Sequence, residues 1–134
     1  MIKLVGMMDS PYVRRGAISL ELYGVEFESQ PLSVFSTFEA FSRINPAVKA
    51  PTLILDNGVR LMDSSLILNY FEAQAAPERR LLPVAPDALA NDLQTLGFIL
   101  AAAEKAVQNV YEHHQRPLEK QHALWVERIT TQLL

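Results

Sequence analysis

Cysteine is absent from this chain of 134 residues. Its absence excludes a protein thiol nucleophile, a redox disulfide and a cysteine-ligated metal. It also fits a reducing compartment, where disulfides are rare. The first eight residues are too few for a signal peptide and lack its basic flank and small-residue cleavage site. We therefore expect a cytoplasmic protein.

Long apolar runs and basic clusters are missing as well. No apolar run approaches the roughly 18 residues of a membrane-spanning helix. Twelve Lys and Arg residues are interspersed with fifteen Asp and Glu residues, which gives a formal net charge of −3. We therefore expect neither a membrane nor a nucleic acid as partner. What is present is 49% hydrophobic and 20% charged residues, as in an ordinary globular protein with a sizeable core.

The first half of the chain alternates between strand and helix patterns. Ile2–Val5 is a short apolar run, which predicts a buried strand. Ser10 before Pro11 predicts a helix start, and apolar residues follow at helical spacing: Val13, Ala17 and Leu20. Val25–Leu32 predicts a second strand, so the segment is a βαβ unit with parallel strands.

The next segments predict a hairpin between two helices. Ser33–Asn45 suits a short helix or isolated helical turns, with phenylalanines recurring at threes: Phe35, Phe38 and Phe41. Thr52–Leu55 and Val59–Met62 flank an Asn-Gly turn, a strong hairpin signal. A further helix begins at Asp63-Ser64-Ser65, where an aspartate or a serine supplies the cap.

Composition changes after residue 75. Residues 77–86 are rich in proline, as in an inter-domain linker. Beyond them a helical apolar seam is predicted, formed by Leu89, Leu93, Leu96, Leu100, Ala103, Val107 and Val110. Arg116-Pro117 ends it, and a second helix presents one face with Leu118, His122, Trp125, Ile129 and Leu133. Because two lone helices cannot bury both stripes, we expect this part to be truncated or to need a partner.

Three motifs lie in the first 80 residues. The first follows the first strand: Ser10-Pro11-Tyr12-Val13-Arg14-Arg15. The second precedes the hairpin: Asn45-Pro46-Ala47-Val48-Lys49-Ala50-Pro51-Thr52-Leu53. The third opens the helix after the hairpin: Asp63-Ser64-Ser65-Leu66-Ile67. Together, in this order, they resemble the motifs of bacterial, serine-type glutathione S-transferases.

The resemblance implies a fold and a domain division. Residues 1–76 would form an α/β thioredoxin-like domain, βαβαββα, with a mixed four-stranded sheet. Residues 77–86 would be the linker, and residues 87–134 the start of an all-α C-terminal domain. It also implies a homodimer.

The implied function is that of a detoxifying transferase. It would bind reduced glutathione as substrate, stabilise the thiolate, and conjugate it to a small electrophile or isomerise one. A helix N-terminus favours a thiolate, and Ser10 would donate a hydrogen bond to the sulfur. The alternative for Ser10 is a plain helix cap. The alternative for the whole chain is a non-catalytic binding or assembly module.

The resemblance also assigns residues that bind glutathione. Pro51 would be a cis proline, with Ala50 pairing its backbone with the cysteinyl part of the ligand, although an ordinary trans proline is the alternative. Asp63 and Ser64 would hold the γ-glutamyl end or act as caps only. Lys49 would meet the glycyl carboxylate or be solvated.

Several positions depart from the family pattern or lie outside it. Val48 stands where glycine is usual, and Ala50 where valine is usual. Arg14 and Arg15 lie one turn into the first helix and are expected at the surface, and the alternative is that one of them faces the site or a partner subunit. The three histidines, His113, His114 and His122, are expected at solvated helix ends, so no metal is predicted.

Overall fold

In the computed structural model, which describes residues 1–133, the chain divides into two units, Met1–Leu82 and Pro83–Leu134. The first holds a sheet and three helices, and the second is helical. No helix among residues 1–133 combines the length and the hydropathy that crossing a membrane requires.

The sheet of the first unit is mixed and has four strands, in the order β2-β1-β3-β4. Its strands are β1 (Ile2–Val5), β2 (Phe27–Gln30), β3 (Thr52–Ile54) and β4 (Arg60–Met62). β1 is parallel to β2 and antiparallel to β3, and β3 is antiparallel to β4. This confirms the parallel βαβ unit and the hairpin predicted from the sequence pattern, and the mixed four-stranded sheet that the resemblance implies.

β2 is shorter than the predicted strand, Val25–Leu32. The reason lies at the end of the preceding helix, where Gly24 adopts φ +76°. The Val25 N–H donates to the Leu20 carbonyl at 2.9 Å, which closes the helix and leaves that amide unable to pair in the sheet.

Three helices accompany the sheet: α1 (Pro11–Tyr23), α2 (Phe38–Ile44) and α3 (Ser64–Glu72). The predicted apolar stripe of α1 is buried. It joins the core with residues of β1, β3, α3 and the position just after β3: Leu4, Val13, Ala17, Leu20, Leu53, Leu55, Ile67 and Phe71. The three phenylalanines near α2 do not share a face. Phe41 is buried, whereas Phe35 and Phe38 are exposed.

The second unit contains α4 (Pro86–Gln115) and α5 (Ala123–Thr131), with a 3₁₀ turn at Leu118–Lys120 between them. The predicted seam of α4 is helical but not buried, since Leu93 is 46% and Val110 is 52% exposed. Ile129 of α5 is buried as its periodicity predicts, but Leu118 and Trp125 are exposed. The periodicity therefore identified the helices. Whether a helix face is buried depends on how much other apolar surface packs against it.

Candidate functional site

The three motifs meet at one end of the sheet. β1 ends there, β3 begins there because it is antiparallel to β1, and β4 ends there because it is antiparallel to β3. The residues at these three strand ends are those the sequence singles out: Ser10, Lys49, Ala50, Pro51, Asp63 and Ser64. The topology therefore brings all of the predicted site residues to the same edge.

Ser10 caps α1. Its Oγ accepts the Val13 N–H at 3.4 Å, and its carbonyl accepts the Arg14 N–H at 3.1 Å. The cap bond is long, so it is weak. Within residues 1–133 the hydroxyl donates to no acceptor, so its proton remains available to a ligand.

The loop after β1 passes close to the residue before Pro51. Gly6 has φ +144°, and a Cβ placed on it would lie 2.6 Å from Val13 Cγ2 and 3.1 Å from Ala50 Cβ. Only glycine combines this backbone conformation with so close an approach. The contact aligns the loop that carries Ser10 with the backbone of Ala50.

The Ala50–Pro51 peptide bond is cis, as the resemblance implies. Pro51 is buried. A Cβ placed on Gly16 of α1 would lie 3.9 Å from Pro51 Cγ, so the helix passes close to the ring. In the described part of the chain, neither the N–H nor the carbonyl of Ala50 has a hydrogen-bond partner. That short edge of backbone can therefore pair with an extended ligand.

A buried asparagine fixes the loop in front of Ala50. Asn45 Nδ2 donates to Thr52 Oγ1 at 2.9 Å, and Asn45 Oδ1 accepts the Ala47 N–H at 3.0 Å. Thr52 Oγ1 donates in turn to the Lys49 carbonyl at 2.7 Å. Val48, where the family pattern has glycine, adopts φ +46°, a left-handed conformation that is costly for a β-branched residue.

Asp63 links the loop before β3 to the start of α3. Its Oδ1 accepts the Ser65 N–H at 2.9 Å, and its Oδ2 lies 3.5 Å from Lys49 Nζ. Both charged side chains are about half exposed, so this ion pair stabilises the fold little. The backbone of Asp63 has φ +74°, a strained conformation of the kind that clusters at ligand sites.

Of the two arginines in the first motif, Arg15 takes the alternative to a plain surface position, because its side chain reaches the start of α3. Its Nη1 donates to Ser64 Oγ at 2.9 Å and to Ser65 Oγ at 2.8 Å, whereas Arg14 is exposed. Burial lowers the pKa of Arg15, and the charge of Asp63 opposes that shift. An arginine remains charged in proteins, so a cation lies at the first turn of α3.

A helical signal for Arg15 was present in the sequence. Tyr23 lies eight residues further on, on the same flank of α1, and its hydroxyl donates to Glu72 of α3 at 2.7 Å. Residues at this spacing share a helix face. Arg15 and Tyr23 therefore both reach α3. Their spacing indicates that they share a flank of α1, but not that α3 packs against it.

Across residues 1–133 no three His, Asp or Glu side chains come close enough to hold a metal ion. The site at the end of the sheet consists of hydroxyls, one ion pair, one partly buried guanidinium and unpaired backbone.

Comparison with known proteins gives the chain its relatives. Residues 4–79 match the family model of the glutathione S-transferase N-terminal domain. An uncharacterised glutathione-S-transferase-like protein of Escherichia coli (strain K12), YibF, is 33% identical over 91 residues, 68% of this chain and 41% of that protein. The chain spans about two fifths of the length of the curated relatives it matches.

Two solved structures are similar over nearly the whole chain. A glutathione S-transferase of Methylobacterium radiotolerans, in complex with glutathione sulfonate, is 27% identical with a TM-score of 0.88, over 98% of this chain and 61% of that one. A glutathione transferase family member of Pseudomonas fluorescens Pf-5, with bound glutathione, is 28% identical with a TM-score of 0.85, over 99% and 66%. The family model covers more than half of the chain. The chain therefore belongs to the glutathione S-transferase family, with a thioredoxin-like domain followed by helices.

Proposed function

We propose that the first unit binds reduced glutathione at the end of the sheet where the three motifs meet. The observation that carries the proposal is the unpaired backbone of Ala50, which lies between the capped starts of α1 and α3. An extended peptide can add to such an edge through main-chain hydrogen bonds. Two similar solved structures, named above, hold glutathione or its sulfonate.

The ends of the tripeptide have matching partners on either side of Ala50. The γ-glutamyl carboxylate would lie at the N-terminus of α3 and accept from the Ser64 hydroxyl, and its ammonium would pair with Asp63. The glycyl carboxylate would lie near Lys49. In this pose Lys49 and Asp63, paired with each other at 3.5 Å, would each turn to an opposite charge on the ligand.

The sulfur would then lie at Ser10. A free thiol has a pKa near 8.5, and each unit of depression needs about 1.4 kcal/mol of preferential stabilisation of the anion. The positive end of the α1 dipole and the hydroxyl proton of Ser10, which the cap does not use, both favour the thiolate. We propose that the activated sulfur attacks a small electrophile, with Ser10 as the catalytic residue. By family likeness we also propose a cytoplasmic homodimer.

The test is a calorimetric titration with reduced glutathione. Asp63→Asn keeps an oxygen to cap α3 and removes only the charge, so affinity should fall about tenfold while the fold is retained. Asp56→Asn, in the exposed hairpin turn, is the matched control and should bind like the parent chain. No binding at millimolar glutathione by folded protein would overturn the proposal.

The second candidate is a non-catalytic module of the same fold. It is favoured by the Lys49–Asp63 ion pair, because each of these side chains is already paired with a charge of the protein and not with a charge of a ligand. This candidate predicts that glutathione produces no heat and no thiolate absorbance in the ultraviolet. The transferase is supported instead if thiolate absorbance appears at a pH well below the pH at which free glutathione ionises.

A further inference from the structure

We infer that the start of α5 is a pH-sensitive element, held by the neutral imidazole of His122 and loosened when that ring takes up a proton. The inference concerns the second unit and does not depend on the proposed glutathione site.

His122 is the N-cap of α5. Its Nδ1 accepts the N–H of Trp125 at 3.1 Å, and the same N–H also donates to the His122 carbonyl at 3.0 Å. An imidazole nitrogen accepts only when it carries no proton. Once protonated, Nδ1 would direct an N–H at another N–H across this distance, so the ring must leave the cap.

The ring of His113, near the end of α4, has the opposite role in its hydrogen bond. Its Nδ1 lies 2.8 Å from the carbonyl oxygen of Asn109, and a carbonyl can only accept. The ring therefore donates, and a cationic ring donates equally well. A cation is also favoured in the last turn of a helix. Acidification should leave the His113 contact in place and remove that of His122.

The charges around His122 do not rescue the cap. Buried Glu112 of α4 accepts the backbone N–H of His122 through Oε1 at 2.9 Å. The other carboxylate oxygen of Glu112, Oε2, lies 3.3 Å from Arg116 Nε. Arg116 and the backbone of Lys120 are joined by hydrogen bonds in the turn between the helices. An imidazolium drawn towards Glu112 would still abandon the Trp125 amide.

The first turn of α5 offers no compensation of its own. It contains no acidic residue, so nothing there offsets the repulsion between a cation and the positive end of the helix dipole. Imidazole is the side chain whose charge changes between about pH 5 and 8.

Trp125 is the only tryptophan of the chain, so its fluorescence reports on this turn. We would record that fluorescence, together with amide hydrogen exchange at Trp125 by NMR, from pH 8 to pH 5 on the full chain. At the acidic end of this range, amide exchange at Trp125 should be roughly threefold faster in the parent than in His122→Asn at the same pH, since asparagine caps without titrating. His113→Gln should behave like the parent.

Two results would overturn the inference. One is a fluorescence change without any change in Trp125 exchange, which would mean direct quenching by the imidazolium. The other is identical exchange in the parent and His122→Asn at every pH. Should His122→Asn fail to fold, the ring-nitrogen NMR shifts of His122 in the parent decide, because an Nδ1 that is protonated at pH 8 is incompatible with the cap.

Discussion

Arg15 and Ser64 are joined across α1 and α3 by a hydrogen bond of 2.9 Å from Nη1 to Oγ. Because the serine oxygen accepts from the guanidinium, its own proton is directed elsewhere. Among the residues that the structure describes, no acceptor takes that proton. Arg15 thus positions Ser64 as a donor at the N-terminus of α3, where the proposed γ-glutamyl carboxylate would bind.

Replacing Arg15 by lysine should weaken glutathione binding about tenfold, because lysine keeps the charge but cannot reach both serine hydroxyls in the geometry of the guanidinium. Loss of these hydrogen bonds should also lower the free energy of unfolding by about 1 kcal/mol. Calorimetry and urea unfolding measure the two effects. Arg14→Lys, at the exposed neighbouring position, should change neither. Equal effects from the two variants would remove the positioning role.

Ser10 has an observed role as helix cap and a proposed role as hydrogen-bond donor to the thiolate, and substitution can separate the two. Ser10→Ala should cost less than about 1 kcal/mol of stability, because the cap bond is long at 3.4 Å. Turnover of a chromogenic electrophile should fall tenfold or more, because the proton donor to the thiolate is lost. Rates measured against pH should show the apparent pKa of bound glutathione rising.

Ser10→Asp is the informative partner of that variant. It keeps the cap and favours the helix dipole, so stability should be retained. Its carboxylate would repel the thiolate, so turnover should be at least as low as with alanine. An active Ser10→Asp enzyme would remove the hydroxyl from the mechanism.

Much of the first unit could be predicted from its sequence, because local signals agree there. The cap at Ser10, the stripe on α1 and Gly24 at its end all define one helix. β2 was predicted too long because strand propensity does not show that the Val25 amide closes α1. The seam of α4 was predicted correctly as one face of a helix. None of its residues is buried, which agrees with the expectation that two lone helices cannot cover their apolar stripes.

The candidate site was predictable in its residue types and less so in its contacts. Motifs place Ser10, Asp63 and Ser64 at helix starts, and the caps are there. The interaction of Arg15 with Ser64 spans 49 positions, and no local pattern contains it. The Lys49–Asp63 pair was missed for the same reason.

Val48 carries a strain that a single substitution should relieve. A left-handed backbone costs an L-residue about 1–2 kcal/mol, and glycine adopts it freely. Val48→Gly should therefore raise the free energy of unfolding by up to about 1 kcal/mol, after the entropy that glycine loses on folding. Ala47→Gly, in the same loop but without positive φ, should lower it instead. Thermal unfolding of both variants gives the comparison, and a destabilised Val48→Gly would contradict the strain.

Glu72 anchors the chain that leaves α3. Its carboxylate accepts the Tyr23 hydroxyl at 2.7 Å and the amides of Leu81 and Leu82 at 3.0 and 3.2 Å. Burial opposes ionisation, but these donors and the charge of Arg80 outweigh it and lower the pKa of Glu72. The pKa of Tyr23 is raised, first by burial and then by its hydrogen bond to Glu72.

The lowered pKa fixes the sign of a pH dependence. A carboxylate whose pKa is lower in the folded than in the unfolded chain adds stability above its unfolded pKa, about 4.3 for glutamate. That stability is lost as pH falls through the folded pKa. Glu72→Gln should therefore lower the free energy of unfolding by about 1–2 kcal/mol at pH 7. The difference from the parent should shrink below about pH 4.5, while Glu78→Gln, on the exposed turn nearby, should show no such convergence. A difference that stays constant down to pH 3 would mean that the charge of Glu72 contributes nothing and that only the shape of the side chain matters.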